Sequence, residues 1–345
     1  MNRLAQAESL RGRKSSRSGT GGGALICYGA AMSAAPQESG PGWRLVVHGG
    51  CGRIERGRIP AAEEVAIRAA LNRALDAGGA ILAERGSALD AAEASVKALE
   101  DDPHFNAGRG SVFTYEGRIE MDAAIMDGRS LAAGAVGGVS ATRNPIALAR
   151  AVMEKSPHVF LSREGADSFS REQHLEQAPP AYFEIAERRR QLEELRARPE
   201  NEQFDVHLKY GTVGAVACDS AGNVAAASST GGLTGKRWGR IGDTPIIGAG
   251  CYADNRGCAV ACTGAGEYFI RLAVAHEICA RLRLAGGSAQ AAADAVTADV
   301  AALGGTGGVI VATPAGEGGY SFNTPGMYRG EASPAGRSVA LYGDE

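Results

Sequence analysis

Clusters of glycine separate short runs of β-branched and small apolar residues along most of this chain, and this punctuation limits the fold more than any other feature. Glycine accepts the positive backbone angles of tight turns, so such runs read as short strands that reverse direction repeatedly. Arg44 to His48 is one, running into the corner Gly49-Gly50-Cys51-Gly52. Ser111 to Thr114, Ile119 to Met126 and Ala135 to Val139 are others. Thr212 to Asp219 alternates, Ser220 to Asn223 turns and Val224 to Ser229 returns, the pattern of a hairpin. Further strands are predicted at Ile246 to Gly250, Cys258 to Cys262, Gly307 to Thr313 and Gly319 to Asn323.

Helical periodicity lies between these runs. Pro60 opens a helix over Ala61 to Arg85, and Ser87-Ala88-Leu89-Asp90 has capping-box form and starts a second helix that reaches about Glu100. Pro145 to Lys155, about Gly266 to Leu284, and Ser288 to Leu303 read as helices too. An α+β fold follows, and two helical layers around stacked antiparallel sheets pack it most economically. From about 173 to 210 the composition turns charged, with few apolar anchors beyond Tyr182 and Phe183, which predicts a linker or mobile arm. Residues 1–43 read as a disordered extension: Arg11 to Arg17 is basic and Ser-rich, and the weakly apolar stretch Gly21 to Ala35 makes a poor signal peptide, interrupted by Gly29.

A chain of 345 residues with 44% hydrophobic residues can bury a large core. A formal net charge of −3 with interspersed signs leaves no basic footprint for nucleic acid or for a membrane surface. No apolar run approaches the eighteen or so residues of a membrane span. A small molecule or a peptide is the expected partner. Seven cysteines are an odd number, with no C-x-x-C among them, so they read as small buried hydrophobes of a reducing, cytoplasmic compartment.

Several motifs imitate known sites. His48-Gly49-Gly50-Cys51-Gly52 is like an esterase oxyanion loop, but the G-x-S-x-G elbow it would serve is absent. Gly248-Ala249-Gly250 imitates a dinucleotide fingerprint where Asp254 to Gly257 turns the chain instead of opening a helix. Thr230 to Arg237 carries the Gly-Lys of a phosphate loop without its first glycine or its Ser/Thr. Tyr210-Gly211-Thr212 is more informative. A glycine before a threonine, where a linker meets a strand, is what self-cleavage needs, although an isolated Gly-Thr pair is far more often an ordinary strand start.

Its company decides the reading. Gly211 to Asp219, Ser229-Thr230-Gly231-Gly232, Gly239-Arg240-Ile241-Gly242-Asp243 and Cys262-Thr263-Gly264-Ala265-Gly266-Glu267 follow in order. Phe105 to Gly108, Glu120 to Ala124, Asn144 to Ile146, Phe322 to Thr324 and Gly326 to Arg329 accompany them. This pattern resembles the plant-type asparaginase and isoaspartyl peptidase family from about Arg44 to Arg329. The departures are Cys51, where the family usually has a smaller residue such as Ala, and the N-terminal extension.

The resemblance implies an N-terminal-nucleophile hydrolase with a four-layer αββα sandwich. It implies cleavage between Gly211 and Thr212, giving halves of one catalytic domain, 44–211 and 212–345. The freed α-amine of Thr212, with a pKa near 8, would be the base for its own hydroxyl, with no histidine required. Thr230 would hydrogen-bond the nucleophile, Thr263 and the Gly264 backbone N–H would form an oxyanion hole, and Asn106 would position these groups. Arg240 would clasp a substrate α-carboxylate and Asp243 its α-ammonium. A loop of Leu99, Glu100, Asp102, Phe105, Ala107 and Arg109 would wrap a structural sodium ion through backbone carbonyls, with no other cofactor needed. The family also suggests a homodimer of cleaved αβ units. A glycosylasparaginase, which typically has Asp before the threonine, and a catalytically silent scaffold are the rivals. Gly211 argues against the first, and the presence of Thr212, Thr230, Arg240, Asp243 and Thr263 against the second.

Overall fold

The computed structural model describes residues 42–199 and 211–345. In chain order it contains β1 (Arg44–Gly52), α1 (Ala61–Ala83), α2 (Ala88–Glu100), β2 (Met121–Asp127), β3 (Ala133–Val139), α3 (Pro145–Lys155), β4 (Phe160–Ser162) and α4 (Arg163–Glu172). Two short helices follow, α5 (Pro180–Phe183) and α6 (Ala186–Arg196), then β5 (Val213–Cys218), β6 (Val224–Thr230), β7 (Cys251–Ala253) and β8 (Ala259–Gly264). The chain ends with α7 (Gly266–Leu272), α8 (Val274–Ala285), α9 (Ala289–Ala302), β9 (Gly307–Ala312), β10 (Gly318–Phe322), β11 (Gly326–Ser333) and β12 (Gly336–Tyr342).

The strands form an eight-stranded sheet in the order β12-β11-β1-β5-β6-β2-β3-β4 and a four-stranded sheet β10-β9-β8-β7. All pairs are antiparallel except β3 with β4. Side chains alternate across a strand, so Leu45 and Val47 face one way and Val46 the other. Leu45, Val47, Ala215 and Ala227 bury against Leu71, Leu75, Val96 and Leu99 of α1 and α2. On the opposite face Val46, Val216 and Ala226 meet Ala261 and Ile310 of the smaller sheet. That sheet turns Val260, Cys262, Val309 and Val311 toward Ile278, Val296 and Val300 of α8 and α9. Burial on both faces explains why the central strands read as continuous apolar runs.

Four expectations need correction. Ser111 to Thr114 forms only isolated bridges, Phe113 to Ile119 and Thr114 to Lys236, because Gly110 and Gly117 at positive φ turn the chain on either side. Ile246 to Gly250 is a turn closed by Ile246 N–H to Asp243 and Ala249 N–H to Ile246, and the strand begins at Cys251. The helix expected over Gly266 to Leu284 is two, broken at Ala273, whose φ is +48°. Between 173 and 199, where a linker is expected, α5 and α6 dock onto the domain. Arg188, Leu192 and Leu195 stand at helical spacing on one buried face of α6. Exposed pairs such as Arg190 with Glu187 and Glu194 cover the other face and mask that stripe in the composition. The structure adds β4, α4, β11 and β12, which the sequence pattern does not separate from loops. The expected disorder of 1–41 and the arm at 200–210 lie outside the described residues.

Candidate active site

Thr212 stands immediately before β5, the strand between β1 and β6. Its hydroxyl donates to the Thr230 oxygen at 3.1 Å, and that oxygen also accepts the Gly232 backbone N–H at 3.0 Å. Asn106 ties this group together. Its backbone N–H donates to the Gly211 carbonyl at 3.2 Å, its Nδ2 to the Gly232 carbonyl at 2.8 Å, and its Oδ1 accepts the Val112 N–H at 2.9 Å. Side chains at Gly211 or Gly231 would collide with it, since a Cβ there would lie 2.7 Å from Asn106 Cβ or 2.4 Å from Asn106 Oδ1.

The second sheet supplies the opposite wall. Thr263 and Gly264 end β8, paired with Gly308 and Gly307. The Thr263 hydroxyl is buried and has no hydrogen-bond partner among the described residues. Gly264 holds φ +149°, and a Cβ there would lie 2.5 Å from the Thr306 carbonyl, so glycine is required. Gly211, Thr212, Thr230, Arg240, Asp243 and Gly264 are among the residues that line one cleft.

Two charged groups sit in this cleft. Arg240 donates through Nε and Nη2 to the two Glu267 oxygens, at 2.9 and 3.0 Å. Asp243 is buried with Oδ2 unpartnered among the described residues. Burial pushes its carboxyl up to about 7, against the downward pull of the Arg240 charge. Sequence reasoning gave Glu267 no role, because its partner lies far off in the chain.

His48 lies on β1 opposite Gly214, whose missing side chain leaves space for the ring. Burial pushes His48 down to about 3, against a smaller upward pull from the Thr212 backbone, so the ring is neutral at pH 7. Lys236 is also buried, with Nζ donating to the Glu120 carbonyl at 2.7 Å. Cys51 packs behind Thr263, its thiol 3.6 Å from the Thr263 carbonyl and pushed up to about 12 by burial, so it is inert.

The loop from Leu99 to Arg109 folds on its own carbonyls. Those of Leu99, Glu100 and Asp102 accept N–H groups of Asp102, Arg109 and Phe105. The Phe105 and Pro103 carbonyls converge on Gly110, where a Cβ would lie 2.6 and 2.7 Å from them. Ala107 is buried within the same loop. Among the described residues no group of three or more His, Cys, Asp and Glu could hold a metal ion.

The asparaginase family model matches residues 41–340 of this chain. The chain belongs to that family. It is 45% identical to the isoaspartyl peptidase of Escherichia coli (strain K12), over 83% of this chain and 91% of the relative. It is 43% identical to the isoaspartyl peptidase/L-asparaginase of Xenopus laevis, over 82% and 90% of the two chains. With the isoaspartyl peptidase/L-asparaginase of Homo sapiens it shares 46% identity, over 67% and 74%. Membership in the asparaginase family gives the cleft its context, since the matched span includes every residue that lines it.

Proposed function

We propose that this chain is a self-cleaving threonine hydrolase that acts on β-aspartyl amide bonds of isoaspartyl dipeptides and L-asparagine, releasing L-aspartate. One observation carries the reading: a buried Thr212 hydroxyl, bonded to Thr230, shares a cleft with Arg240 and Asp243, side chains of opposite charge type. The names of the relatives support the substrate class.

In maturation the Thr212 hydroxyl attacks the Gly211 carbonyl, whose oxygen the Asn106 N–H polarises. The chain shifts from nitrogen to oxygen, and water hydrolyses the resulting ester. This leaves a carboxylate on Gly211 and a free amine on Thr212. In turnover that amine takes the hydroxyl proton as Thr212 Oγ attacks the β-carbonyl, and Thr230 holds the oxygen in line. The developing oxyanion takes the Gly264 N–H and the Thr263 hydroxyl, the latter without a competing partner among the described residues. The protonated amine returns its proton to the leaving amine, and water releases aspartate from the acyl-enzyme. Arg240 holds the α-carboxylate and Asp243 the α-ammonium, so the β-carbonyl alone reaches Thr212. Neutral, buried His48 takes no proton in this scheme.

The three core clusters support a four-layer αββα sandwich of the N-terminal-nucleophile type. The reading extends to a structural sodium ion held by main-chain carbonyls of the Leu99 to Arg109 loop, hard oxygens of the kind such a cation takes, and the chemistry needs no other cofactor. Among the described residues, six buried free cysteines support a reducing, cytoplasmic setting, and no helix is long and apolar enough to cross a membrane. The partners of this reading are a small-molecule or dipeptide substrate and a second αβ unit, with no nucleic acid or membrane. Incubating purified chain with a β-aspartyl dipeptide and following aspartate tests it. Intact chain after long incubation, or aspartate-free supernatants from fully cleaved chain, would overturn it.

A further inference from the structure

Arg240 does not wait in its loop unaccompanied. Glu267, in the first turn of α7, holds it through two hydrogen bonds of 2.9 and 3.0 Å. A guanidinium has two bidentate edges that share Nη2, and this contact occupies the Nε/Nη2 edge. The Glu267 side chain is 48% exposed and that of Arg240 only 18%, which puts the carboxylate on the solvent side. On the inner side two glycines keep space open. A Cβ on Gly242 would lie 2.9 Å from Arg240 Nη1, and one on Gly266 would lie 3.1 Å from Nη2 and 2.7 Å from Asp243 Oδ1. Among the described residues no hydrogen bond is made by Arg240 Nη1, and the Nη1/Nη2 edge faces Asp243 and the cleft.

We infer that Glu267 is a positioning residue for substrate recognition: by gripping the outer edge of Arg240 it presents the inner edge to the substrate α-carboxylate. Arg240 is a long side chain on a loop, and ordering it before substrate arrives removes a cost that binding would otherwise carry. Glu267 itself touches no reacting atom. This inference rests on the proposed β-aspartyl reading.

The test uses the matured enzyme and the variants Glu267→Ala, Glu267→Gln and Glu267→Asp, with two substrates. One is a β-aspartyl dipeptide and the other is the same compound with its α-carboxylate converted to a carboxamide. Glu267→Ala should raise KM for the first about tenfold to a hundredfold, with kcat within about threefold of the parent. Glu267→Gln and Glu267→Asp should fall between, since each keeps one part of the grip. Turnover of the carboxamide should be equally slow in parent and Glu267→Ala. A lower KM in Glu267→Ala would overturn the inference by making Glu267 a competitor for Arg240. An unchanged KM, or equal losses on both substrates, would overturn it because the effect would not pass through the carboxylate. Failure of the parent enzyme on the dipeptide would remove the β-aspartyl reading and this inference together, whereas an active parent without the variant pattern removes this inference alone.

Discussion

Asp243 carries a conflict that defines its chemistry: it must be ionised to hold an ammonium, yet burial pushes its carboxyl up to about 7. The free enzyme should therefore show kcat/KM rising through about pH 7, with a second step near 8 from the Thr212 amine. In Asp243→Asn the lower step should vanish from whatever activity remains. Stability runs the other way. A carboxyl raised from 3.8 unfolded to about 7 folded contributes stability that is present below 3.8 and lost as pH rises through 7. Asp243→Asn should thus melt higher than the parent at pH 8 and no higher at pH 3.5, which thermal scans at both values would decide. Arg240 recognises through the planar shape of its guanidinium as well as through charge. Arg240→Ala should lower kcat/KM for a β-aspartyl dipeptide by tens to thousands of fold, and Arg240→Lys should recover little, because a point charge cannot reproduce the planar fork.

Among the elements, α6 shows how a charged segment can still be structural. Arg188 Nε donates to the Gly110 carbonyl at 2.9 Å, and Arg189 lies 3.9 Å from the Phe113 ring centre. Leu195 fills the space that a side chain on Gly235 would need, 2.2 Å from its Cβ position. These contacts bear on the two segments, 110–115 and 232–236, that adjoin Asn106 and Gly232. Leu192 is fully buried there. Leu192→Ala should cost about 2 to 5 kcal/mol of stability, read from denaturant melts. A change below about 0.5 kcal/mol would mean that α6 is as loosely held as its composition suggests.

At the scale of the molecule, the proposed cut at Gly211 severs no layer. β1 and β2 belong to the first half, and they flank β5 and β6 of the second through continuous antiparallel ladders. Val46 of the first half also packs with Ile310 of the second. Fragments 1–211 and 212–345 should therefore co-elute under native conditions and separate only when denatured. Intact mass should place the second amino terminus at Thr212, and Thr212→Ala should remain a single folded chain. Separate native elution of the two fragments would contradict the shared core.

What the sequence determined by itself is local. Pro145 at the first turn sets the start of α3, and Ser87, which accepts the Asp90 N–H, sets the start of α2. The hairpin of β5 and β6 lies where alternation and the turn at Ser220 to Asn223 put it. The order of the site motifs was legible too, because each is a short contiguous run, in some cases marked by a glycine at positive φ, as at Gly232, Gly239 and Gly264. Tertiary structure alone decided the pairings across long intervals. Arg240 meets Glu267 27 residues away, His48 fits against Gly214, and Asn106 reaches both Gly211 and Gly232. It also decided that β11 joins β1, and that α6 packs as a helix although the charge around it reads as linker. The reason is physical: caps, prolines and alternation act within a few residues, whereas burial rewards whichever distant surfaces fit, and that fit exists only once both sheets have formed.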